Sequence, residues 1–149
     1  MRTLSRVACG TALALLISAT VQADPLQPVR VTPDELTWKL NPAGNQQTII
    51  AAGDPQKAGV YILRTRLPAG LQVQPHFHPD ERIVTILSGT LLVGYGEQFD
   101  ESKMKGLPAG SFFTEPSKQP HFVWAKDGDV IVQVIGHGPS GTTPVVPAR

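Results

Sequence analysis

His76 and His78 stand two residues apart in Gln72-Val-Gln-Pro-His-Phe-His78, a segment that reads as extended. Strand side chains alternate faces, so both imidazoles point the same way. Two imidazoles converging from one strand are a grip for a divalent metal. His121 opens a later strand and could close a facial set of three. A neutral imidazole offers the metal one lone pair, so its other ring nitrogen needs a partner of its own. Gln74 shares the expected histidine face and is a candidate to line a pocket. His137, between Gly136 and Gly138, reads as a loop histidine outside this set. Other chemistries lack their carriers. There is no Gly-x-Ser-x-Gly elbow and no glycine-rich phosphate loop before a helix.

The elements that must position these histidines are short strands. Gln47 to Ala52, Val60 to Leu67, Gln72 to His78, Arg82 to Ser88 and Thr90 to Tyr95 each read as one. Met104 to Leu107, Ser111 to Thr114, His121 to Ala125 and Val130 to Ile135 follow. Gly, Pro and Asp punctuate them, Asp127-Gly128-Asp129 being the clearest hairpin turn. Thr32-Pro33-Asp34-Glu35 has the signature of a helix start, stopped soon afterwards by Asn41-Pro42. Trp38 is expected to pack on the barrel. No longer segment carries a helical period. Many short strands with Gly/Pro turns predict an all-β sandwich or small barrel.

The ends are different in kind. Arg2 and Arg6, the apolar run Val7 to Ile17 and Val21-Gln22-Ala23 have the layout of a secretory signal peptide over residues 1–23. Its removal would leave about 126 residues, enough for one core. It would also remove Cys9, the sole cysteine, so no disulfide is expected. Losing two arginines and no acid takes the net charge from +1 to −1. With that balance, no Lys/Arg cluster and 6% aromatic residues, nucleic acid is not an expected partner. No later stretch is long and apolar enough to span a membrane. The expected organisation is a leader at 1–23, an arm and first strands at 24–59, a barrel at 60–137 and an extended tail at 138–149.

The spacing resembles the cupin superfamily. Its first motif, G(x)5HxH(x)3–4E(x)6G, is matched by Gly70, His76, His78 and Gly89, with Arg82 in the acidic position. Its second, G(x)5PxG(x)2H(x)3N, is matched by Gly110, Pro116 and His121, with Lys118 for the glycine and Ala125 for the asparagine. The resemblance covers roughly Val60 to Gly136. It implies an antiparallel jelly-roll barrel with a metal pocket in its mouth, and His121 as the third ligand beside His76 and His78. The cofactor implied is a divalent transition metal: Fe, Mn, Ni, Cu or Zn. The family spans dioxygenases, isomerases, decarboxylases and non-catalytic binders, so the fold leaves function open.

Arg82 is the departure that matters. A guanidinium stays protonated and cannot ligate a metal. At about 6 Å and an effective dielectric near 20, it would oppose a divalent ion by roughly 5 kcal/mol. Three resolutions stand open. Glu81 replaces the lost carboxylate if the register slips by one. Arg82 turns away to pair with Glu81, Asp80 or Glu115. Or Arg82 clamps an anionic substrate and, with Glu81, belongs to a catalytic set. Glu115 itself reads as a solvated loop acid. Cupins with three histidines and no acid exist, so metal is not excluded.

The sequence therefore carries two main functional readings. One is a secreted or periplasmic metal-dependent enzyme acting on a small molecule, dioxygenase-like, isomerase or lyase in type. The other is a non-catalytic module that binds or senses a small ligand or a metal. Apolar residues on both faces of Arg82 to Ser88, with Ile83 and Leu87 on the second, point to a homodimer contact or a second sheet. A weaker third reading, a structural protein acting through its oligomer, follows from the same face.

Overall fold

The computed structural model describes residues 25–146; the expected leader lies outside them. Thr32 opens a single 3-10 turn, Pro33–Glu35. There the Glu35 carboxylate accepts from the Thr32 backbone N–H at 2.7 Å and its hydroxyl at 2.9 Å. A second such turn, Glu101–Lys103, is capped by the Asp100 side chain.

The rest is strand and turn. In chain order the strands are β1 Lys39–Leu40, β2 Gln47–Ala52, β3 Gly59–Leu67, β4 Gln72–Phe77, β5 Arg82–Ser88 and β6 Thr90–Tyr95. β7 Lys105–Pro108, β8 Phe112–Glu115, β9 His121–Trp124, β10 Val130–Gly138 and β11 Thr143–Pro144 follow. They form two antiparallel sheets, ordered β1-β2-β3-β10-β5-β8 and β11-β4-β9-β6-β7. This is the jelly-roll arrangement expected from the motifs. Bounds for β2, β5 and β6 coincide with the expected ones, whereas β10 runs on past Ile135 to Gly138. The two-residue strands β1 and β11 had no counterpart in the sequence reading, being too short to show a period.

Period-two alternation builds the core. On β10, Val130, Val132 and Val134 turn inward, and on β5 Val84 and Ile86 do the same. Leu91, Val93, Phe113 and Val123 meet them from neighbouring strands and the facing sheet. The apolar interior ends at one mouth of the barrel, where polar residues take over the inward positions. Trp38 is half-buried, with the Arg66 guanidinium 5.0 Å from its ring. The outer face of the six-stranded sheet carries Val60, Ile83, Phe112 and Ile135, all exposed.

Two features close the mouth. After β10 the chain crosses it, with the Ser140 N–H donating to Pro55 O at 2.7 Å. It then adds β11 to the edge of β4, pairing Thr143 with Phe77 and Pro144 with His76. The tail from Gly138 thus lies as a strap over the histidines.

Candidate metal centre

The register brings the three histidines together. His76 and His121 are direct partners on β4 and β9, and His78 follows β4 immediately. Their ligating nitrogens all lie within 4.8 Å of one another. Ring centroids are 4.3 Å apart for His76–His121, 5.0 Å for His76–His78 and 5.2 Å for His78–His121. His78 and His121 are 4% and 1% exposed.

Each ring is oriented by a backbone carbonyl on Nδ1. Gln74 O lies 2.8 Å from His76, Gly141 O 2.7 Å from His78, and Gln119 O 3.2 Å from His121. A carbonyl only accepts, so each Nδ1 carries a proton and Nε2 is the ring atom left to ligate. Three such nitrogens then gather in the barrel mouth. The pKa values agree for two of them. Burial, then the His121 ring, lower that of His76. Burial and then the Arg82 charge push that of His78 down to about 4. The donor set fits a divalent transition metal, with ligands and their outer partners both in place.

A β-bulge between Val73 and His76 sets this up. Without it Gln74 would share the histidine face, as the alternation predicted. With it Val73 and His76 line the cavity, and Gln74 is exposed, contributing its carbonyl instead of its side chain. Lys118, at the glycine position of the second motif, takes φ +60° and donates its N–H to His78 O at 2.7 Å. It adopts the left-handed conformation that glycine accepts without strain.

The facing rim belongs to β5 and β8. Arg82 is the direct cross-strand partner of Glu115, and both point inward. Glu115, expected as a solvated acid, is 7% exposed. Its Oε1 lies 3.2 Å from His121 Nε2 and its Oε2 3.5 Å from His78 Nε2. Burial alone would raise its pKa. His121, His78 and Arg82 outweigh that and hold the carboxyl below its ordinary range. The signal that could have placed Glu115 is its parity with inward Phe113 two residues earlier.

Arg82 turns from the histidines into a second network. Its Nε donates to Asp80 Oδ2 at 3.3 Å, and one terminal nitrogen donates to Ser140 Oγ and, at 3.4 Å, to Gly141 O. Its other terminal nitrogen is 3.7 Å from Glu115 Oε2. Asp80 also accepts from the Tyr61 hydroxyl at 2.5 Å and from Ser140 Oγ at 2.6 Å. Burial raises the Asp80 pKa, but Ser140, Tyr61 and Arg82 together leave it lowered. Burial and the Asp80 hydrogen bond push the Tyr61 hydroxyl up to about 12, so it remains a donor. A Cβ on Gly136 would collide with the Tyr61 hydroxyl and the Asp80 carboxylate, so glycine there makes the network possible.

Of the three resolutions open for Arg82, the geometry realises pairing with Asp80 and Glu115. The register does not slip. Glu81 is exposed, out of phase with inward Arg82, and is not brought to the histidines. His137 lies on β10, exposed and facing away from the mouth.

Beside the cluster is a cavity of about 320 Å³. Leu63, Val84, Leu91 and Phe113 line its body, and Gln46, Thr48 and Gln56 one side. A cupin-domain family model matches residues 63–136, which include both motifs and every histidine of the cluster. The chain belongs to the cupin superfamily. Among curated proteins none matches. Solved structures share the cupin fold at low identity. The polyketide cyclase RemF from Streptomyces resistomycificus superposes with a TM-score of 0.68 at 14% identity, over 83% of this chain and 89% of its own. The DMSP lyase DddQ from Ruegeria pomeroyi gives 0.61 at 17%, over 91% and 87%. KdgF from Halomonas sp. gives 0.58 at 21%, over 71% and 91%. At these identities the likeness is one of fold.

Proposed function

We propose that this cupin is a divalent-metal-dependent enzyme acting on a small molecule held in the barrel. The observation that carries the reading is the convergence of three Nε2 nitrogens, each ring fixed by a carbonyl on Nδ1. His76, His78 and His121 would hold the ion. A bound ion would supply Lewis acidity or activate oxygen or water. The adjoining cavity, at about 320 Å³, suits a compact ligand with an apolar body and a polar end directed at the cluster. A cyclase and a lyase of the same fold favour catalysis over storage.

The test is turnover by the metal-loaded protein on small carbonyl and carboxylate compounds, with and without oxygen. Loss of substrate without oxygen uptake would place it with lyases or isomerases. Stoichiometric uptake would make it a dioxygenase. Binding without conversion across the panel would reject the enzyme reading. A non-catalytic binder is the second reading, and Arg82 favours it. The guanidinium that would grip an anionic substrate is already bonded to Asp80, Ser140 and Gly141.

Two further elements complete the proposal. The protein is exported to the periplasm behind residues 1–23, which N-terminal sequencing of the exported form would test. It pairs as a homodimer through the exposed face of the six-stranded sheet, where Ile83 and Ile135 are cross-strand neighbours. A monomer by light scattering would reject that pairing.

A further inference from the structure

We infer that Glu115 is a fourth protein ligand of the metal, supplying from β8 the carboxylate that Arg82 displaces from β5. The inference rests on the metal reading above and names a residue at a position that neither family motif specifies. Arg82 stands where the first motif carries its acid, and Glu115 is its direct cross-strand partner. The acid and the base have in effect been placed one strand over from each other.

Each Glu115 oxygen stands as far from one histidine as two donors sharing an ion would. Two donors each about 2.1 Å from one ion lie about 3.0 Å apart at a right angle and about 3.4 Å apart at a tetrahedral one. Glu115 Oε1 is 3.2 Å from His121 Nε2, and Oε2 is 3.5 Å from His78 Nε2. Both Glu115 Oε2 and His121 Nε2 are buried without a hydrogen-bond partner. A buried carboxylate oxygen left in that state is costly unless something else satisfies it. Arg82 does not: its nearest nitrogen is 3.7 Å from Oε2, and its strong donors are committed to Asp80 and Ser140. Asp80 moreover offsets the guanidinium charge that would oppose a cation. The resulting set is three neutral imidazoles and one carboxylate. Such a mixed nitrogen and oxygen set suits Mn(II), Fe(II), Ni(II) or Zn(II).

The test uses Co(II) as the probe, followed by calorimetry and by its visible absorption. The proteins are the wild type, Glu115→Gln, His78→Ala, and the exchange of Arg82→Glu with Glu115→Arg. Thermal melts of the metal-free forms establish that each is folded. The wild type should bind one Co(II). Glu115→Gln should weaken it by more than about 100-fold, beyond the loss of an outer partner, and change the absorption bands, because a coordinating oxygen is lost. The exchange returns a carboxylate to β5 and should recover affinity to within about 10-fold of wild type, the span of an outer-partner change. Unchanged affinity and an unchanged spectrum in Glu115→Gln would overturn the inference while leaving the three-histidine site standing. A wild type that takes up no Co(II) would overturn the metal reading itself, and this inference with it.

Discussion

The two rims that face each other across the barrel mouth hold their polar groups by different means. On β4 and β9, backbone carbonyls engage Nδ1 of three imidazoles and leave Nε2 to ligate. On β5 and its flanks, Arg82, Asp80, Tyr61 and Ser140 satisfy one another through side chains. A residue of the first rim can be removed without stranding a charge. A charged residue of the second cannot. The histidine rim, with Glu115 facing it, should therefore govern affinity, and the Arg82 network stability.

The sharpest way to break that contrast is His78→Ala. Metal affinity is expected to fall more than about 100-fold, exceeding the loss of an outer partner, while the melting temperature of the metal-free protein barely moves. A large loss of metal-free stability would show that both rims are structural. Arg82→Ala is the converse. It takes the charged partner from Asp80, which is 7% exposed, and should cost about 3 kcal/mol in urea unfolding. Metal affinity should rise, since a cation has left the neighbourhood. Falling affinity would mean that the guanidinium positions a ligand.

Tyr61→Phe removes one donor to a charged group and should cost about 2 kcal/mol with little effect on metal binding. The pH dependence sharpens the same point. The Asp80 pKa is lowered on folding, by hydrogen bonds and the Arg82 charge that outweigh burial. Its contribution is therefore complete above the unfolded aspartate value, about 3.9, and is lost as the pH falls toward the lowered folded value. Asp80→Asn should flatten that part of the acid-unfolding curve. The strap joins both rims. Ending the chain at Gly138 removes the Gly141 carbonyl from His78 Nδ1 and should weaken metal binding by about 10-fold, and it lowers stability by taking Ser140 from Arg82 and Asp80. Unchanged affinity would make the strap a cover alone.

The histidine rim was legible because its information is local. His76-x-His78 and the fixed spacing to Gly89, Gly110 and Pro116 survive in one dimension, and period two gives the strand bounds. The ionic rim is written in pairings that sequence distance hides. Glu115 meets Arg82 only because β8 lies beside β5 in the sheet order, and Ser140 reaches Asp80 only because the tail folds back. Gln74 failed for a smaller reason: one bulge reverses the parity on which its placement rested. Glu81 failed for the opposite reason, because no slip occurs where one would have been needed. Tyr61 lies in the core, and its hydroxyl partner is beyond any local pattern.

The most direct test of the metal centre is anomalous scattering from crystals of the tag-free protein grown with Mn(II) or Zn(II). One peak is expected in the barrel mouth, about 2.0 to 2.2 Å from the Nε2 atoms of His76, His78 and His121. A barrel mouth without a peak, at full occupancy of ions elsewhere in the crystal, would contradict the account.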